Sequence, residues 1–181
     1  MNNLFKFYRL QLIISISLMV VLISQVYKNG SLDLILIILG CLIGTFFLDL
    51  DYFINAYLID QDTEFSKLLR DYVKNKDFVG ALNYIIYHAN EIKNKTLNSA
   101  LFQVSLAIFS LYIVRSPVST FYKSLIISIL LNSIYRFFYF YIQNEHEDWF
   151  WVLKKTPGKY FIGIYNLILM VIVGLSIVLY I

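Results

Sequence analysis

The sequence predicts an all-α fold, a polytopic membrane bundle of about five transmembrane helices with a cytoplasmic amphipathic helical hairpin. Composition gives the class. Of 181 residues, 59% are hydrophobic, 18% aromatic and only 15% charged, where a soluble domain carries about a quarter charged residues. Distribution gives the architecture, because the apolar residues fall into long runs and leave one polar segment, 60–96. A single membrane domain then occupies 1–181. Cys41 is the only cysteine, which excludes an intrachain disulfide framework and a thiolate metal site. The pI near 8.8 reflects basic loops, and no Arg/Lys cluster is dense enough for nucleic acid.

A run must cover about 30 Å of hydrocarbon to cross a bilayer. The first candidate is 10–26, which follows Lys6 and Arg9 and has no small-residue cleavage site after it, so it reads as an uncleaved anchor. The second is 32–48. It holds Gly40 and Gly44, whose four-residue spacing leaves a flat strip for close helix approach. That strip is read as intramolecular packing in preference to a dimer face, and a homo-oligomer stays open. The third span is 97–114, ended by Arg115-Ser116-Pro117, the fourth is 122–142 and the fifth is 160–181.

Lys and Arg counts orient the spans. Lys6, Arg9, Lys67, Arg70, Lys74, Lys76, Lys93, Lys95, Lys154, Lys155 and Lys159 fall on one side, and Lys28, Arg115 and Lys123 on the other. Eleven against three puts the N-terminus in the cytoplasm and the C-terminus outside, in a multi-pass protein of the cell (inner) membrane. Trp149, Phe150 and Trp151 would form an interfacial aromatic belt.

Within 60–96, Phe65, Leu68, Leu69, Tyr72 and Val73 repeat at helical spacing. Asp62 is the expected N-cap, with Glu64 in the first turn. Asp77 caps a second helix carrying Phe78, Ala81, Leu82, Ile85, Ile86 and Ala89 on one face. His88 in that helix, and His146 in N-E-H-E-D, read as packed or solvated side chains.

Ionisable groups inside spans face a bundle interior or a wet cavity. Arg136 lies six residues, about 9 Å, inside the cytoplasmic end of the fourth span. Asp49 and Asp51 end the second span, Asn98 opens the third, and Asn132 is one turn from Arg136. Topology brings Asp49, Asp51, Asn98, Asn132 and Arg136 to one depth, as a polar pocket or ion pair.

Three stretches carry a resemblance. G-T-F-F-L-D-L-D-Y begins at Gly44, K-N-K-T-L-N-S runs from Lys93 to Ser99, and N-S-I-Y-R from Asn132 to Arg136. In order and in placement they resemble the inner-membrane metal-dependent hydrolase family, which is distantly similar to zinc-dependent phospholipase C. That family shows G-x-h-h-P-D-h-D-H after an early span, H-R-G-h-T-H-S before a later one, and H-x-x-x-D within the next. The match covers most of 40–140. Here Leu48 replaces the proline and Tyr52 a histidine, Lys93 and Asn98 replace two more, and Asn132 and Arg136 replace the last His and Asp. The resemblance implies a degenerate member. Asp49 and Asp51 are the metal-ligand positions that survive, and they suit Mg²⁺ or Ca²⁺ better than zinc.

The expected function is a non-catalytic integral membrane scaffold or interaction protein with no cofactor, whose partners are the bilayer and a protein at the hairpin. The alternative is a membrane metal-dependent phosphoester or lipid-headgroup hydrolase, with Asp49 and Asp51 holding one divalent cation that polarises phosphoryl oxygen and activates water. A small channel or transporter ranks last, since the outer halves of the spans offer only Ser and Gln.

Overall fold

In the computed structural model, residues 2–26, 30–88, 92, 95–143, 146–153 and 157–180 are described, with the side chains of 2–7 and 146 outside that description. The described residues are 84% helical, and no strand occurs among them. Helix α1 is Asn2–Val26 and α2 is Ser31–Phe46. A 3₁₀ turn at Phe47–Asp49, α3 at Leu50–Ile54 and a π turn at Asn55–Ile59 continue the path of α2. Then come α4 (Glu64–Lys74), α5 (Phe78–His88), α6 (Ala100–Arg115) and α7 (Thr120–Ile142). A 3₁₀ turn at His146–Phe150 precedes α8 (Lys159–Val178).

Among the described residues, four helical segments are long and apolar enough to cross a membrane: Tyr8–Val26, Ser31–Ile59, Thr120–Ile142 and Lys159–Val178. The remaining apolar helix, α6, has 16 residues. It begins later than expected because Ser99 is its N-cap, accepting from the Phe102 amide at 3.3 Å. The helical path from Ser31 does not stop at residue 48. No Gly or Pro stands between Gly44 and Ile59 to break it, and the two aspartates find partners inside the protein. It changes pitch there instead, tightening to 3₁₀ just before Asp51 and loosening to π after Ile54.

The bundle is built around α7. Gly40 and Gly44 face Ser124 and Ser128, and a Cβ on Gly40 would fall 2.1 Å from Ser124 Oγ and 2.7 Å from the Phe121 carbonyl. On Gly44 it would meet Ser128 Cβ at 2.7 Å. Small residues on both helices let the backbones close up, and Ser128 Oγ donates to the Cys41 carbonyl at 3.0 Å. The glycine pair therefore serves packing within the chain.

Apolar side chains dominate the outer surface. Val20, Ile35, Ile43, Ile108, Leu167 and Val171 are exposed, while Asp49, Asp51, Gln103, Asn132 and Arg136 are buried. This inversion suits an apolar surrounding medium.

The α4–α5 hairpin packs its apolar face, Phe65, Leu69, Ala81 and Ile85, on Tyr52 and Ala56 at the end of the Ser31–Ile59 path. Its first cap is Thr63, which accepts from the Ser66 amide at 3.2 Å, and not Asp62. Thr63 has the extended backbone that a cap requires and stands immediately before the first helical residue. Asp77 caps α5 through the Gly80 amide at 2.8 Å. The proposed face residue Ala89, along with Lys93 and the loop lysines Lys28, Lys154 and Lys155, lies outside the described residues.

Candidate functional site

Asp49 and Asp51 are two residues apart, so at about 100° per residue their side chains leave the helix in nearly opposite directions. Asp49 points toward α1 and α7, where Arg136 Nη2 donates to its Oδ1 at 2.5 Å and the Tyr8 hydroxyl to its Oδ2 at 2.9 Å. Asp51 points toward the segment before α6. Its Oδ1 accepts from the Thr96 amide at 2.9 Å, and its Oδ2 from the Asn98 amide at 2.9 Å and Asn98 Nδ2 at 3.0 Å. Asp49 is 5% exposed and Asp51 2%.

Asn98 joins the two sides. Its Nδ2 also donates to the Leu48 carbonyl at 3.1 Å, and its Oδ1 accepts from Arg136 Nη1 at 3.4 Å. Four of the five residues singled out in the sequence thus form one hydrogen-bonded group. The guanidinium and both carboxylates are taken out of water, where an unpaired charge is very costly.

Asn132 belongs to a neighbouring group. Its Nδ2 donates to Ser15 Oγ and to the Ser128 carbonyl, each at 2.9 Å, and Thr45 Oγ1 donates to the same Ser15 Oγ at 2.7 Å. One helical turn is about 5.4 Å of rise, enough to move Asn132 from the carboxylates to this α1–α2–α7 contact.

Sequence reasoning missed Tyr8, Thr96 and Lys95. Tyr8 had a signal, because Tyr8, Gln11 and Ser15 fall at i, i+3 and i+7 and mark a polar stripe on an apolar helix. Thr96 acts through its backbone N–H, which no side-chain pattern reveals. Buried Lys95 has its ammonium 5.4 Å from the Tyr52 ring centroid and 5.0 Å from that of Phe140, a second cation in this region held over aromatic faces.

Trp149 and Phe150 depart from the expected belt. Both are buried against Phe137 and Ile162. The Trp149 indole donates to Gln103 Oε1 at 3.2 Å, the acceptor that also takes the Tyr165 hydroxyl at 2.5 Å. An indole inside the bundle needs an acceptor, and Gln103 on α6 provides it. Trp151 is the exposed member, its indole donating to the Lys95 carbonyl at 2.9 Å.

His88 lies against Tyr84 with ring centroids 4.5 Å apart and planes tilted by 34°. The His146 side chain lies outside the described residues. Among those described, no three His, Cys, Asp or Glu side chains come together as a metal-holding group. No family model, no curated protein and no solved structure matches this chain.

Proposed function

We propose that the chain is a non-catalytic scaffold or interaction protein of the cell (inner) membrane, a degenerate relative of the membrane metal-dependent hydrolases. The observation that carries this reading is the direction of the hydrogen bonds at the two aspartates. A divalent cation binds carboxylates through lone pairs and gathers several oxygens around itself. At Asp51 those lone pairs face three N–H donors, and at Asp49 a guanidinium and a phenol. These residues do not fit a resident cation. The guanidinium on Asp49 repels a second positive charge a few Å away, and Asp51 would have to release the donors that hold residues 96–98. Arg136 stands in for the metal's charge.

The topology assigned to this protein has five crossings, N-terminus in the cytoplasm and C-terminus outside, supported by the eleven-to-three division of Lys and Arg. The crossing added to the four long segments is α6, third in chain order. Its 16 residues rise about 24 Å, and the irregular backbone before it is covered by protein: Lys95, Leu97, Asn98 and Ser99 are buried. Non-helical backbone at membrane depth needs that cover. The α4–α5 hairpin then lies in the cytoplasm. Tyr52 and Ala56 occupy its inner face, so a protein partner or lipid headgroups would meet the outer face, where Lys67, Lys74, Phe78 and Val79 are exposed.

Metal content of the detergent-purified protein, measured by mass spectrometry beside an Asp49→Asn/Asp51→Asn control, tests the reading. The expected result is no divalent ion above the control and no change in thermal stability with chelator. A stoichiometric ion that the control loses would overturn it and restore the hydrolase.

A further inference from the structure

Among the buried polar atoms without a partner are Arg136 Nε, in the ion pair itself, Asn132 Oδ1 on the same helix, and Gln11 Oε1 on α1. Leaving such groups unpaired is costly, most of all for a charged one. Their positions follow from the bonds that tie α1 to α7. Tyr8 and Arg136 both reach Asp49, Tyr8 through its hydroxyl and Arg136 through Nη2. Seven residues on, Ser15 is fixed at the level of Asn132 by their 2.9 Å bond. Gln11 lies between them on the same face of α1, about 4.5 Å along the axis from Tyr8 and about 6 Å from Ser15. On α7, which runs antiparallel to α1 here, Arg136 is also four residues, about 6 Å, from Asn132, so Gln11 and Arg136 fall at about one level. The Asn132 amide cannot turn over to satisfy itself, since the Ser128 carbonyl at 2.9 Å needs the Nδ2 donor, and Oδ1 is left without a partner.

We infer that a single enclosed water molecule sits among these three groups, accepting from Arg136 Nε–H and donating its two protons to Gln11 Oε1 and Asn132 Oδ1. One donor and two acceptors are the complement of one water, and buried waters typically make about three hydrogen bonds to otherwise unsatisfied groups. The water gives an acceptor to Nε–H, the one guanidinium nitrogen left without a partner when Nη2 is on Asp49 and Nη1 on Asn98. It also joins the aspartate group to the Ser15, Thr45 and Asn132 group, making one polar network across α1, α2 and α7. The site is a positioning device. It holds the guanidinium plane so that its fork faces Asp49 and Asn98, independently of what the protein binds.

A high-resolution crystal structure of the full chain grown from a lipid phase tests this, solved for the native protein and for Gln11→Met, a swap close in volume. The native map should show one isolated peak about 2.7–3.2 Å from all three atoms. Gln11→Met should lose that peak and keep the Arg136–Asp49 bond. A dry native site, with the three groups bonded directly to one another or elsewhere, would overturn the inference. So would a peak that persists unchanged in Gln11→Met. The native map decides alone if the variant does not fold.

Discussion

Asp51 holds the irregular segment before α6 by three N–H bonds and faces no cation among its described partners. Replacing it with alanine strips two backbone amides and one side-chain amide of their acceptor at once. Asp51→Ala should therefore speed hydrogen exchange at the Thr96 and Asn98 amides by at least tenfold, the rate equivalent of about 1.4 kcal/mol. Exchange in α8 should not change. Equal acceleration in both places would mean that Asp51 serves global stability and not this segment. Asp49, Asp51 and Arg136 were legible because a charge in an apolar run stands out and needs a partner. Asn98 was legible from its position at the start of a span. Tyr8 was hidden among 15 tyrosines, most of which suit a membrane boundary. Asn132 bonds Ser15 and Ser128 and not the carboxylates, because helical spacing gives a shared face and not a shared depth.

The helical path from Ser31 to Ile59 shows where a physical rule misled. A charged residue after an apolar run usually marks water, so the span was expected to end at residue 48. The carboxylates instead turn to opposite sides of a continuing helix, and the change of pitch around them was not encoded in any Gly or Pro. The glycine strip was readable and its partner was not, since Ser124 and Ser128 look like ordinary small residues until α2 and α7 are brought together. Gly40→Ala and Gly44→Ala should each lower stability in detergent by about 1–3 kcal/mol through overpacking. Gly163→Ala and Gly174→Ala, where a Cβ would meet nothing within 4 Å, should hold stability or raise it by up to about 1 kcal/mol. Thermal unfolding of the four variants makes the comparison. Equal losses at all four would remove the α2–α7 contact as the reason for the first pair.

For the molecule as a whole, the fold class and four of the long apolar segments followed from composition and run length alone. The sidedness we propose rests on charge counts and is open to a direct check. In a Cys41→Ala background, Lys67→Cys on the hairpin should react with a membrane-impermeant maleimide only after permeabilisation, and Ser119→Cys in intact cells. The reverse pattern would invert the topology and place the hairpin outside. All these features meet at one claim, that a fixed guanidinium and not a metal ion balances Asp49 inside the bundle. A double-mutant cycle on thermal unfolding in detergent tests it most directly, comparing Arg136→Met, Asp49→Asn and the two together. A buried carboxylate without its partner costs about 3–5 kcal/mol, so Arg136→Met should lose about that much and the double variant should recover most of it. Wild-type stability in Arg136→Met, or a double variant no better than that single one, would contradict the claim.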